Sequence, residues 1–165
     1  MISIIQATTR DIPLIHDMAS IVFPHTYRSL LSKEQLDFMM EWMYSYDNLK
    51  RQMLEENNTY YIAYVDGAAA GYVSIRPESD DIFHLEKIYV LPQFQKFKIG
   101  KKLFQQAIKA IKEMHPEKCE MHLNVNRDNV AVEFYEHMGM KKIAEGDFPI
   151  GNGFYKTDYI MGITI

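Results

Sequence analysis

The chain has 165 residues, a length suited to one domain that buries a sizeable core. Hydrophobic residues make up 47% and charged residues 24%, a globular rather than a disordered composition. Eighteen Lys and Arg against 22 Asp and Glu leave a net charge of −4, which speaks against a dedicated nucleic-acid binder. The single cysteine, Cys119, forms neither an internal disulfide nor a structural zinc site alone, and no metal is expected. Residues 1–5 are too short an apolar run for a signal-peptide core, and nothing approaches the roughly 18 consecutive apolar residues of a membrane span. A cytoplasmic protein with no membrane partner is the expectation. No repeat, linker or low-complexity tract divides the chain, so residues 1–165 read as one domain.

In chain order, Ile2–Gln6 reads as a strand. Thr8 and Asp11 have capping-box spacing, and Ile12, Ile15, Met18, Ala19 and Val22 then recur at helical intervals until residues 23–27 break the pattern. Ser32 and Gln35 give a second capping signal before Leu36, Met39, Met40 and Met43, and Asp47 reads as the cap of a third helix reaching residue 55 or 56. Residues 59–65 and 70–75 are rich in strand formers, with Asp66–Gly67 between them as a hairpin signal. Gly71 inside the second strand indicates a bulge or a close approach.

A strand over residues 82–91 stops before Pro92. Ile99, Leu103, Phe104, Ala107, Ile108 and Ile111 mark the clearest amphipathic helix, ended by His115–Pro116. A strand over 119–125, a helix over 128–137 closed by Gly139, and strands over 140–144 and 154–163 around a 146–153 connection complete the chain. The order is β-α-α-α-β-β-β-α-β-α-β-β, a mixed α/β sheet with helices on its faces.

Two segments carry chemistry. At residues 85–104 a strand ends at a proline and a short loop feeds a lysine-bearing helix start. The unpaired N–H groups and partial positive charge of such a start suit a phosphate. Residues 96–118 hold seven lysines against Glu113 and Glu117, a local +5, which leaves −9 for the remainder. Taken alone, these lysines could equally be a solvated helix face. In the second segment, residues 124–140, a strand runs into an Asn/Asp-rich cap and a short helix with Phe134–Tyr135.

Together these segments resemble the GCN5-related N-acetyltransferase (GNAT) superfamily. Ile88–Tyr89–Val90 before Pro92 is similar to its central strand. Gln95-x-x-Lys98-x-Gly100 sits where the family has its pyrophosphate loop, and residues 134–140 resemble its Phe-Tyr-x-x-x-Gly-Phe signature. Within the superfamily the chain resembles most the bacterial spermidine/spermine acetyltransferases. Lys98 stands at the first loop-glycine position, so a backbone conformation that glycine makes easy must here suit lysine.

The resemblance implies a mostly antiparallel sheet of about seven strands, splayed between the fourth and fifth, with acetyl-CoA in the gap. Ile88, Tyr89 and Val90 would line the pantetheine arm, and Gln95, Lys96, Phe97, Lys98, Ile99, Gly100 and Lys101 would cradle the pyrophosphate. Asn126 and Asn129 compete for a further cofactor contact. Tyr135 matches the family's acid, and Glu86 is the candidate base for a protonated amine. The bland alternative for Glu86 is an ion pair with Lys87 or a neighbouring lysine.

Residues 24–81 carry ten acids against five Lys and Arg, a net of −5, which favours a cationic small-molecule amine such as a polyamine. Tyr27, Trp42 and Tyr44, with Met39, Met40 and Met43, are candidates for lining its pocket. A protein N-terminus as acceptor, or a non-catalytic CoA-binding module, are the alternatives. Residues 154–163 are a candidate edge for pairing or swapping in a homodimer.

Overall fold

A computed structural model describes residues 1–165. The elements are β1 (Ile2–Gln6), α1 (Ile12–Tyr27), α2 (Lys33–Tyr44), α3 (Tyr46–Leu54), β2 (Thr59–Val65), β3 (Ala68–Pro77), β4 (Ile82–Val90), α4 (Ile99–Met114), β5 (Glu120–Asn126), α5 (Ala131–His137), β6 (Lys141–Gly151) and β7 (Phe154–Thr164). The strands form one seven-stranded sheet in the order β1-β2-β3-β4-β5-β7-β6, and only β4 and β5 run parallel. The expected fold class is therefore the observed one.

Local chemistry explains most boundaries. Thr8 accepts from the Arg10 N–H while its own N–H donates to Asp11, completing a capping box that opens a short 3-10 turn before α1. Ser32 caps α2 by accepting from the Gln35 N–H. Asp66 and Gly67 both take positive φ, +50° and +86°, as a two-residue hairpin with matching strand twist requires.

Four sequence expectations are corrected. The α1 helix continues through Pro24 to Tyr27, because Phe23 and its neighbours pack into the core and offset the backbone bond that proline cannot donate. The cap of α3 is Ser45, whose hydroxyl accepts from the Asn48 N–H, and not Asp47. Helix α5 starts at Ala131 rather than 128, since Asn126 and Asn129 hold the preceding backbone in turns. Strand β6 runs on to Gly151, because Gly151, Asn152 and Gly153 alone, all at positive φ, make the turn to β7.

Two apolar cores flank the sheet. Helices α4 and α5 bury Leu103, Phe104, Ile111, Val132 and Tyr135 against one face. Helices α1, α2 and α3 bury Ile15, Phe23, Met39, Tyr44 and Leu49 against the other. Where these faces meet β4, the strand changes parity: Phe83 and Leu85 face the α4 side, and then so do Ile88 and Val90. A one-residue bulge causes the change. Ser74 pairs with Lys87 and Ile75 with Leu85, leaving Glu86 as the extra residue.

Gly71 is a close approach as well as a neighbour of a register shift between Ala63 and Tyr64. A Cβ at Gly71 would lie 2.5 Å from the Tyr89 carbonyl oxygen and 3.1 Å from the Val90 Cα, both backbone atoms of β4. Gly71→Ala is therefore expected to destabilise the chain by about 3 kcal/mol, the upper range for overpacking. Urea unfolding measures it, and a change below about 0.5 kcal/mol would show that β4 yields freely.

Candidate active site

The pairing of β4 with β5 runs from Ile82–Glu120 to His84–His122 and stops. Beyond it the strands diverge around a cleft of about 550 Å³, walled by residues 85–90 of β4 and 123–125 of β5. The Leu91 N–H donates to the Ala70 carbonyl on β3. Because backbone groups alternate along a strand, the N–H groups of Val90 and Ile88 face the cleft instead. That edge can pair with an extended, amide-bearing ligand.

At the mouth of the cleft stands the start of α4. Lys98 adopts the left-handed conformation, φ +56° and ψ +31°, at the position where sequence reading anticipated a glycine-like backbone. A lysine there costs on the order of 1 kcal/mol. The first helical bond runs from the Lys102 N–H to the Lys98 carbonyl, 3.3 Å, so the N–H groups of Ile99, Gly100 and Lys101 precede any intrahelical acceptor. With Gln95, Lys98, Gly100 and Lys101 lining the cleft, this junction has the donors and positive charge to hold a pyrophosphate. Lys96 and Phe97 do not line the cleft: the Lys96 ammonium lies 5.5 Å from the Phe97 ring centre. Ile99 is fully buried, so only its backbone is available there.

Deeper in the cleft lie Tyr135, Tyr27, Tyr89, Asn129 and Glu86. Asn129 Nδ2 donates to the Tyr27 hydroxyl at 3.3 Å, and the Tyr27 and Tyr89 hydroxyls are 3.1 Å apart. Burial pushes the Tyr135 hydroxyl above its usual value, and the neighbouring Tyr27 adds to the shift. Tyr135 thus stays protonated at neutral pH, as a proton donor must. Glu86 does not pair with Lys87; its Oε1 accepts from Arg76 Nε, and Arg76 also approaches Glu78 at 3.9 Å.

A second, narrow cavity of about 50 Å³ adjoins the cleft, and Tyr27, Glu86, Tyr89 and Asn124 line both. Its other walls are Phe23, Leu31, Met39 and Met43, and its polar groups include Gln35, Asn126, Lys156 and Asp158. The structure thus separates the two competing asparagines: Asn129 faces the cleft and Asn126 the smaller cavity. Trp42 and Tyr44 line neither. Trp42, one position off the Met39–Met43 face, is turned to solvent at 41% exposure. Tyr44 is fully buried and accepts a hydrogen bond from the Tyr72 hydroxyl at 2.8 Å. Sequence reading missed Arg76, Asn124, Lys156 and Asp158, which no local pattern marks.

Beside Glu86, on the same side of the sheet, Lys87 is buried, with its ammonium donating to the Met43 carbonyl (2.8 Å), Gln52 Oε1 (3.0 Å) and the Tyr60 hydroxyl (2.6 Å). It also lies 4.2 Å from the centre of the Tyr44 ring. Lys87 thus ties α2, α3 and β2 to the strand that carries Glu86. A third groove, of about 580 Å³, lies between residues 6–9 and 53–60 and contains no carboxylate or amine side chain.

The profile of the acetyltransferase (GNAT) domain matches residues 28–161. The chain belongs to the GNAT acetyltransferase family. It is an acetyl-CoA-dependent N-acetyltransferase, and the split sheet, the free β4 edge and the α4 start fit that co-substrate. Among related sequences, an uncharacterised N-acetyltransferase of Lactobacillus delbrueckii subsp. lactis is 23% identical over 167 residues, covering 97% of this chain and 95% of that protein. A spermidine N(1)-acetyltransferase of Thermoplasma acidophilum is 22% identical over 144 residues, covering 85% of this chain and 88% of that one. Among solved structures, the PaiA N-acetyltransferase of Thermoplasma acidophilum in complex with coenzyme A superimposes with a TM-score of 0.81 at 24% identity, over 100% and 99% of the two chains. At that identity the likeness speaks for the fold of this acetyltransferase. No helix of the acetyltransferase is long and apolar enough to cross a membrane.

Proposed function

We propose that this acetyltransferase transfers the acetyl group to a primary amine of a polyamine by direct attack, with Glu86 as base and Tyr135 as acid. The observation that carries this reading is the junction of the two cavities: Glu86 and Tyr27 line both, and Tyr135 lines the cleft beside them. An amine is protonated at neutral pH and cannot attack until it loses that proton. Glu86, held by Arg76 through Oε1, takes the proton through its other oxygen, directly or by way of water. The Val90 N–H, facing the cleft, stabilises negative charge developing on the acyl oxygen. Tyr135 then returns a proton to the departing thiolate.

The pantetheine arm would run along the Ile88 and Val90 edge, with the pyrophosphate at Gln95, Lys98, Gly100 and Lys101 and Asn129 as a further contact. A polyamine is favoured by the two carboxylates, Glu86 and Asp158, set among methionine and aromatic walls, and by a likeness over 85% of the chain to a spermidine acetyltransferase. The second reading is a peptide N-terminus. It is favoured by a 29% identity over 112 residues, 61% of this chain, to an N-alpha-acetyltransferase of Sulfurisphaera tokodaii.

Thiol release across a panel of monoamines, polyamines and peptides distinguishes the two. Polyamines are expected to give the highest kcat/KM, and a preference for peptides would overturn the polyamine assignment. Glu86→Gln is expected to lower kcat/KM about 100-fold at pH 7, with partial recovery near pH 9, where more of the amine is already neutral. Full turnover of Glu86→Gln at pH 7 would remove Glu86 from the base role.

A further inference from the structure

We propose that Asp158 is the specificity-determining residue for a second positive charge on the acceptor, binding the distal ammonium of a diamine or polyamine while the reacting amine sits at Glu86. This deepens the polyamine reading and rests on it.

Asp158 lies midway along β7, opposite Asn126 on β5 and Gly146 on β6. It is only 2% exposed, yet its side chain lines the narrow cavity that meets the cleft at Glu86. A carboxylate so far removed from water is costly unless a cation or strong donors compensate it. Its contacts within the chain are long: Asn124 Nδ2 at 3.3 Å and Lys156 Nζ at 3.4 Å. Both fall on Oδ2, so Oδ1 keeps its acceptor capacity for a ligand donor.

Lys156 stands two residues away on the same face of β7 and is 28% exposed. Its flexible stem allows the ammonium to retreat to water when a ligand ammonium competes for Asp158. The same face is braced from α2, where Gln35 Nε2 donates to the Tyr155 carbonyl at 2.8 Å. With the two carboxylates, Met39, Met43, Leu31 and Phe23 line the same cavity. The cavity thus combines two carboxylates with apolar side chains, in a space of about 50 Å³. That pattern matches an unbranched alkyl chain with an ammonium at each end and gives a monoamine only one of the two charge contacts.

The test compares butane-1,4-diamine and spermidine with butylamine, using the full chain, acetyl-CoA and thiol detection. The unsubstituted enzyme is expected to prefer the diamine and spermidine at least tenfold in kcat/KM. Asp158→Asn, close to isosteric, is expected to shrink that preference about 10- to 100-fold, the range for a lost contact between charged groups. Butylamine kcat/KM is expected to fall far less than that of the diamine, because a monoamine has no second charge for Asp158 to hold. Lys156→Met removes the competing cation and is expected to raise the diamine preference a few-fold. Because Lys156 is partly exposed, this variant decides the question even if Asp158→Asn fails to fold.

A preference that survives Asp158→Asn, an equal loss for diamine and monoamine, or a diamine preference lowered by Lys156→Met would each overturn the assignment. If the unsubstituted enzyme shows no preference for diamines, the polyamine reading itself falls. That outcome is distinct from a preference that persists without Asp158.

Discussion

Tyr135→Phe is expected to lower kcat about 100- to 1000-fold, the range for removing a positioned general acid, while acetyl-CoA affinity stays within about twofold. The substitution removes one hydroxyl and keeps the ring, which packs against Phe134 with centroids 5.4 Å apart. Stability is therefore expected to change little, and thermal unfolding checks this. Burial and the neighbouring Tyr27 hold the hydroxyl above its usual pKa, so it stays protonated across the neutral range. The alkaline limb of a pH–rate profile below about pH 9 should therefore report groups other than Tyr135. Steady-state thiol release gives the result, and a Tyr135→Phe enzyme with full turnover would show that the thiolate takes its proton from elsewhere.

The second large effect concerns Lys87. Burial lowers its pKa to about 7, against which the Glu86 and Glu56 charges pull upward. In the unfolded chain a lysine titrates near 10.4. Between these values the unfolded state binds more protons than the folded one. Stability should therefore rise with pH above about 7, at up to about 1.4 kcal/mol per pH unit, and level off as pH approaches the unfolded value. Below pH 7, where Lys87 is charged in both states, the full cost of the buried charge is present. Urea unfolding of the unsubstituted protein is expected to gain about 2 kcal/mol relative to Lys87→Met between pH 7 and pH 9. Parallel profiles for the two proteins would mean that the hydrogen bonds to Met43, Gln52 and Tyr60 keep Lys87 charged throughout.

Much of the fold was legible in the residues. The α4 stripe from Ile99 to Ile111 repeats at the helical period and does face the core. Asp66–Gly67 marked the β2–β3 hairpin because few residue pairs accept positive φ twice in succession. The loop around Lys98 was placed from its similarity to a phosphate-binding motif, and its left-handed backbone accords with that placement. Residues 82–91 read simply as one continuous strand, so the bulge at Glu86 went unseen. Its trace is the change of the α4-facing positions from Phe83 and Leu85 to Ile88 and Val90, meaningful only once the opposite cores are known. Pro24 misled for a related reason: a local breaker was overruled by distant packing.

The candidate site divides along the same line. Tyr135, Gln95, Lys98 and Gly100 lie within short continuous motifs, where nearest-neighbour geometry fixes the backbone and the residue types declare the chemistry. The sequence by itself therefore determined the family, the mixed sheet and the short motifs proposed to hold the co-substrate. It also resolved the net charge of −4 into a basic stretch and an acidic remainder. Only the tertiary structure decided the surroundings of the proposed acceptor end. It turned Trp42 outward, buried Tyr44 beneath Lys87, and paired Glu86 with Arg76. It also brought Asp158 and Lys156, from a hairpin at the far end of the chain, beside methionines of α2. These residues are more than a hundred positions apart, and their meeting depends on where β7 inserts between β5 and β6. No local period encodes that insertion; it follows from burying both faces of a seven-stranded sheet at once.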